Sequence, residues 1–291
     1  MKELQNICVV GLGFLGGSIS QTIRQRLGRV KVVGYSHRAA TRARTRELGV
    51  ADAIADELAD AVADADLIVL ATPIFTFERY FADLSKSARD GAIVTDVGST
   101  KVAPHAWADG RLDARLHYVG SHPVAGSEQR GVEYSRDDLL DRARCIVTAT
   151  SATNRRVLTT VKRFWTALGC VVQVMSPIEH DRVFANISHL PHVLAASLVN
   201  ASDREETKLA GKGFLDSTRI ASGPATVWTD VVMANSRNIA DGVDRFIAEL
   251  SRLRTAIGDE NRREIRAILE EARGKRAALV KYKIRRKELI S

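Results

Sequence analysis

The sequence predicts an α/β chain, a doubly wound parallel sheet followed by an all-α segment. Three observations predict it. Short apolar runs alternate with helical periodicity from residue 6 to 150, a glycine-rich turn joins the first run to the first helix, and beyond Met175 only helical periodicity remains. The strand candidates are residues 7–10, 30–35, 67–70, 92–96, 117–120, 145–149 and 171–174, with helical patterns such as 39–48 and 75–88 between them. Strands alternating with helices read as a parallel sheet covered on both faces, with ligands gathering at the carboxyl ends of its strands.

The turn that opens the sheet is Gly11-Leu12-Gly13-Phe14-Leu15-Gly16. Gly11 permits a tight exit from the strand, Gly13 lets a pyrophosphate approach the backbone, and Gly16 lets helix and strand pack closely. The helix that follows offers free N–H groups and the positive end of its dipole, so the reading is a Rossmann dinucleotide site. At the other end of the domain, Ser176-Pro177-Ile178-Glu179 reads as a helix start, with Ser as N-cap, Pro at the first helical position and Glu three residues after the cap. The expected division is therefore a dinucleotide-binding domain over 1–175 and a helical domain over 176–291. Helical periodicity in the latter covers 183–201, 228–253 and 262–289.

Composition narrows the function classes. Hydrophobic residues make up 45% and charged residues 27%, which is globular, and apolar runs such as 67–71 are far too short to span a bilayer. The N-terminus passes into the first strand without a signal-peptide core, so the expectation is a cytoplasmic chain with no membrane partner. Cys8, Cys145 and Cys170 lie far apart in apolar runs and read as buried thiols. The net charge of +8 is concentrated around Arg38, Arg42, Arg44 and Arg46 and in the basic C-terminal stretch from Arg273 to Lys287. The first cluster lies where a cofactor phosphate would sit; the second reads as a solvated helical tail, and no nucleic-acid partner is expected.

The second strand ends in Tyr35-Ser36-His37-Arg38, without the carboxylate that would read the ribose 2′-hydroxyl of NAD. Ser36 and Arg38 suit a 2′-phosphate, which points to NADP ahead of NAD; the alternative is Arg38 as a solvated residue at a helix start. Other strand ends carry Thr72-Pro73, Asp96-Val97-Gly98-Ser99-Thr100-Lys101 and Ser121-His122-Pro123. His122, flanked by Gly120, Ser121 and Pro123, is placed to take a proton from an alcohol while a hydride leaves the same carbon. In the helical half His180, His189 and His192 fall close together, and Pro191 is expected to kink their helix. There is no HExxH pattern, and no metal is expected. Arg219, in the glycine-bounded stretch 213–223, suits bidentate capture of a carboxylate, or else a salt bridge to Asp216 or Asp230.

Taken together, the stretches 11–18, 96–101, 121–128, His180-Asp181, Ser188-His189-Leu190-Pro191-His192, 216–222, Trp228 and Asn235 resemble the prephenate/arogenate dehydrogenases of tyrosine biosynthesis, in order from about residue 6 to 255. The resemblance implies NADP- or NAD-dependent oxidative decarboxylation of a cyclohexadienol, with His122 as base and Ser99 holding His122 and the hydroxyl while also meeting the cofactor. It implies Arg219 on a substrate carboxylate, with His180, His189, His192 and Glu128 shaping the pocket. It implies cofactor contacts from residues 11–16, Ser36, His37, Arg38, Thr72 and Pro73, and a helical half that intertwines into a homodimer through stripes such as Ile265, Ile268, Leu269 and Ala272. Two departures stand out: Leu215 where the family carries arginine, and Gly223-Pro224-Ala225 where it carries Gly-Asp-Pro. With no βαββαβ segment after Ser291, a fused regulatory domain is not expected.

Two other readings compete. A β-hydroxyacid-type dehydrogenase would want a catalytic lysine in the helical half, for which Lys208 and Lys212 are the candidates. A dinucleotide sensor would bind cofactor without turnover and use its basic tail on DNA.

Overall fold

The computed structural model describes residues 4–126, 129 and 131–285. Along the chain it contains β1 (Asn6–Val10), α1 (Phe14–Arg26), β2 (Lys31–Tyr35), α2 (Ala39–Leu48), β3 (Ala53–Ala55), α3 (Leu58–Val62), β4 (Leu67–Leu70), α4 (Phe77–Ser87) and β5 (Ile93–Asp96). Then come α5 (Val102–Arg111), β6 (His117–Tyr118), β7 (Gly120–Pro123), β8 (Arg144–Thr148), α6 (Arg155–Ala167) and β9 (Val171–Met175). The remainder is helical: α7 (Pro177–Phe184), α8 (Leu190–Ala201), α9 (Lys212–Thr218), α10 (Ala225–Ala234), α11 (Ser236–Gly258) and α12 (Arg262–Arg285).

The main sheet is parallel, in the order β3-β2-β1-β4-β5-β6, and reverses direction of growth at β1. Side chains alternate along each strand, so both faces must be covered. On one face Ile7, Val9, Val32, Leu67 and Val69 pack with Ile19 and Ile23 of α1 and with Val161, Phe164 and Trp165 of α6. On the other, Cys8, Val10, Ile68, Leu70 and Val94 pack with Phe77, Phe81 and Leu84 of α4. Residues 7–10 of β1 and all of β4 are apolar because neither face meets water there.

The doubly wound class is what the sequence predicts, but its sixth strand differs from expectation. The run 117–120 divides into two strands. Val119 still donates to the Val94 carbonyl at 3.0 Å, whereas from Gly120 onward the chain pairs antiparallel with β8. The resulting sheet β7-β8-β9 is separate from the first, so the run at 145–149 does not extend the parallel sheet. Two features cause it: the N–H of Ser121 turns to the side-chain carboxylate of Asp96 in β5, and Pro123 has no N–H to give a ladder. The two-residue β6 is an edge by necessity, and β7 carries His122 away from it.

After Met175 the described chain is helical, with Ser176 capping α7 through the N–H of Glu179 at 3.1 Å and Pro177 in the first turn. Two compact units divide after Ser236, so α7–α10 belong in space to the same body as the sheets. In that body the helical run 183–201 is interrupted by a π-helical turn at Ala185–His189, directly before the Pro191 of α8. Proline cannot donate to the preceding turn, and the backbone widens there. The run starting at Trp228 breaks at Asn235, between α10 and α11. The second unit, residues 237–291, consists in its described part of most of α11 together with α12. Arg252 of α11 meets Glu264 of α12 at 2.6 Å, and apolar Phe246, Ile247, Leu250, Leu269 and Tyr282 are exposed on this unit. No described helix is long and apolar enough to cross a membrane.

Candidate active site

The glycine turn has the geometry a dinucleotide needs. Gly11 sits at φ +101°, and a Cβ there would lie 2.4 Å from the Ala71 carbonyl oxygen. A Cβ at Gly16 would lie 1.8 Å from the Gly11 oxygen, so α1 can start against β1 only with glycine at that position. At Gly13 the opposite holds: nothing stands within 4 Å of where a Cβ would be. Gly13 is also the N-cap of α1 and brings no side chain to its free N–H groups. An open backbone face at an uncapped helix N-terminus suits a pyrophosphate. Phe14 and Leu15 are half-buried, whereas Leu12 is buried and belongs to the core.

At the end of β2, Ser36 is buried and its Oγ lies 3.4 Å from the N–H of Arg38; His37 and Arg38 are exposed. Arg42 is committed elsewhere, donating to Asp56 at 2.9 Å and to the Ser36 carbonyl at 2.8 Å. It therefore braces the loop that presents Arg38. At the end of β4, Thr72 shares a 2.7 Å hydrogen bond with Thr76, and exposed Pro73 starts the next turn.

A cavity of about 560 Å³ opens beside this cofactor edge. Leu15 of the glycine turn, Ser99, His122, Ser188, His192, Arg219 and Trp228 all line it. Here β5, β7, the π-helical turn, α8, the turn after α9 and α10 converge, which brings together residues far apart in sequence. His192 stacks on the Trp228 indole with centroids 3.3 Å apart, and its Nδ1 lies 3.2 Å from the Ser188 carbonyl oxygen. Arg219 stands at the exposed rim.

His180 and His189 are placed differently: both are fully buried, and neither lines the cavity. His180 stands behind His122, Nε2 to Nδ1 at 2.9 Å, and its ring stacks on Phe184. His189 lies 3.1 Å from the Asn235 side-chain nitrogen, which also donates to the Asp181 carbonyl at 2.8 Å. Burial pushes the His189 pKa down to about 4 and holds His122 well below the usual imidazole range, with His180 and Lys101 reinforcing the latter. His122 therefore stands as a neutral imidazole beside the cavity. Glu128 lies outside the described residues. Lys208 pairs with Glu205 and, like Lys212, does not line the cavity. Among the described residues no group of three His, Cys, Asp or Glu is placed to hold a metal.

Sequence reasoning missed the support beneath this wall. Asp96, buried at the end of β5, accepts from Ser121 N (2.9 Å), Tyr118 Oη (3.0 Å), Gly98 N (2.9 Å) and the buried Lys101 ammonium. The signal was a charged pair, Asp96 and Lys101, on a strand end otherwise made of apolar and small residues.

A glycine turn built for a pyrophosphate, a neutral buried histidine and a cationic rim around one cavity define a nicotinamide-dinucleotide-dependent oxidoreductase. Comparison with known proteins carries this further. The prephenate dehydrogenase nucleotide-binding domain family matches residues 19–174, and the prephenate dehydrogenase dimerization domain family matches residues 176–271. The chain is 32% identical to the prephenate dehydrogenase of Bacillus subtilis (strain 168), over 90% of this chain and 72% of that protein. It is 29% identical to the cyclohexadienyl dehydrogenase of Zymomonas mobilis, over 96% of this chain and 97% of that protein. Among solved structures, Aquifex aeolicus prephenate dehydrogenase, in complex with hydroxyphenyl propionate and NAD+, superposes with a TM-score of 0.88 at 35% identity, covering 95% of this chain and 98% of that one. The chain belongs to the prephenate dehydrogenase family.

Proposed function

We propose that the chain catalyses the NADP-dependent oxidative decarboxylation of prephenate or arogenate, giving 4-hydroxyphenylpyruvate or tyrosine. The observation that carries this reading is the single cavity that Ser99, His122 and Arg219 share beside Leu15 of the glycine turn. When bound, the nicotinamide supplies the hydride acceptor. His122 accepts the proton of the ring hydroxyl at Nε2, the ring nitrogen not engaged with His180, and returns it to the phenolate oxygen that loss of CO₂ creates. Ser99 steadies that hydroxyl and meets the cofactor, and Arg219 pairs with a substrate carboxylate from the rim. His192, stacked on Trp228, forms a flat wall for a six-membered ring. Loss of CO₂ aromatises the ring and drives the reaction, so the protein contributes chiefly position, one base and one cation. We assign His180 and His189, which have no exposed surface, to the support of that wall, and Glu128 to its shaping.

NADP is favoured over NAD because Ser36 and exposed Arg38 end β2 without a carboxylate. The functional division falls at Met175, with residues 1–175 serving the cofactor and 176–291 the substrate and a homodimer; the exposed apolar residues of α11 and α12 support an intertwined pair. A cytoplasmic location accords with three buried thiols. The test is absorbance at 340 nm with prephenate or arogenate and NAD+ or NADP+. Reduction of NADP+ with either substrate is the expected result; no reduction in any combination, with cofactor binding verified, would remove the proposal.

A further inference from the structure

A neutral histidine serves as a base only when the nitrogen facing its substrate carries no proton. Nδ1 of His122 lies 2.9 Å from Nε2 of His180, and Nδ1 of His180 lies 2.7 Å from Oδ1 of Asp181. One N–H must lie between the two rings, so the tautomer of one dictates that of the other. Asp181 decides which. Its Oδ1 accepts the N–H of Lys101 at 2.7 Å and its Oδ2 the N–H of Val102 at 2.8 Å. A carboxylate held by two amides accepts only, so His180 donates from Nδ1 and offers a bare Nε2. His122 then donates from Nδ1, and its own Nε2 is left without a proton.

We infer that Asp181, acting through His180, is a positioning residue that locks His122 in the Nδ1–H tautomer required of the base. The inference rests on the reading of His122 as that base. Three features keep the chain of bonds from reversing. His180 and Asp181 are both fully buried, so no water exchanges with their partners. Phe184 lies parallel to the His180 ring, 16° between planes and 4.5 Å between centroids, which fixes its rotation. Asn235 holds the Asp181 backbone carbonyl at 2.8 Å. Burial raises the Asp181 carboxyl above its ordinary value, while the two amides and the Lys101 ammonium oppose that rise and favour the carboxylate.

The test is a long-range ¹H–¹⁵N correlation of the histidine side chains in the full-length ¹⁵N-labelled chain at neutral pH, with peaks assigned from His122→Asn and His180→Gln. The expected spectrum shows protonated Nδ1 and bare Nε2 in both His122 and His180; a protonated Nε2 on His122 overturns the inference. This measurement on the unaltered protein stands even if a variant misfolds. Asp181→Asn, whose amide cannot accept from both backbone donors and His180, is expected to lower kcat at least about a hundredfold while cofactor affinity shifts less than about threefold. Adding His180→Gln offers His122 Nδ1 an amide oxygen whose acceptor role does not depend on residue 181, and is expected to recover about tenfold of that loss. A further loss in the double variant, as a purely structural staple would give, counts against the inference. Near-normal kcat in His122→Asn removes the base reading itself, whereas a dead His122→Asn with the wrong wild-type tautomer removes only the role of Asp181.

Discussion

Asp96 Oδ1 accepts the backbone N–H of Ser121 at 2.9 Å, so the last residue of β5 fixes the residue that precedes His122. Its second oxygen takes the Lys101 ammonium, and both side chains are fully buried. Removing one member of a buried pair strands the other charge and costs about 3–5 kcal/mol. Asp96→Ala is expected to lower the unfolding free energy by about that amount in urea titrations. Asp96→Ala with Lys101→Met should lose less than Asp96→Ala alone, because no ammonium is then stranded. A loss under about 1 kcal/mol in the single variant would show that the pair does not hold the wall.

The glycine turn separates folding from binding. A Cβ at Gly16 would lie 1.8 Å from the Gly11 oxygen, whereas at Gly13 it would meet open space. Gly16→Ala is expected to unfold the chain or lower its Tm by at least about 10 °C, since backbone atoms cannot yield as a flexible side chain would. Gly13→Ala is expected to leave Tm within about 2 °C and to weaken cofactor binding at least about tenfold, because the methyl group stands where the pyrophosphate approaches. Unchanged cofactor affinity in Gly13→Ala would place the pyrophosphate elsewhere.

Arg38 and Arg42 lie one helical turn apart yet have different tasks. Arg42 is tied to Asp56 and to the Ser36 carbonyl, while the Arg38 side chain is exposed at the end of β2. Arg38→Ala is therefore expected to weaken NADP about ten- to a hundredfold and NAD less than about threefold in calorimetric titrations. Arg42→Ala should weaken both cofactors to a similar extent through a loosened loop. Equal losses of NADP and NAD in Arg38→Ala would end its assignment to a 2′-phosphate.

How far the sequence could be read follows from the range of the interactions. The glycine turn, the strands and Ser176-Pro177 at the start of α7 are local, and local periodicity and capping reveal them. Leaving the parallel sheet at Gly120 depends on Asp96, which is separated from Ser121 by a helix and a strand, and no local pattern reports it. His122, Ser99 and Arg219 are visible as polar residues bounded by glycine or proline at element ends, and they meet in one cavity. His180 and His189 are equally visible, but their burial is set by Phe184 and Asn235 and not by spacing, so sequence alone puts them in the pocket and not behind it. The π-helical turn is hinted at by Pro191, although the widened turn itself lies just before the helix that contains that proline.

The buried histidines set opposite acid limits for the fold and for the reaction. Burial lowers the pKa of His105 and of His189 to about 4, with Lys101 adding to the effect at His105, against an ordinary value near 6.5. The unfolded chain thus binds more protons than the native one between these values, and stability falls as pH drops below about 6.5. Above that pH both contributions are complete and constant. Each such histidine contributes a slope of up to about 1.4 kcal/mol per pH unit in that window. Asp181, whose pKa is raised by burial, acts in the other direction and blunts the slope. Tm is therefore expected to be flat from pH 8 to about 6.5 and to fall progressively toward pH 4.5, and a His105→Asn variant should show a shallower fall. The same lowering has a second consequence at the base: burial holds its pKa well below 6.5, so His122 remains a proton acceptor in mildly acidic solution. The acid limb of kcat should therefore lie well below 6.5, at a pH where the chain is already losing stability. A kcat profile, measured on protein verified as folded at each pH, that turns down at or above 6.5 would mean a solvated imidazole at this position and would contradict the sealed wall behind His122.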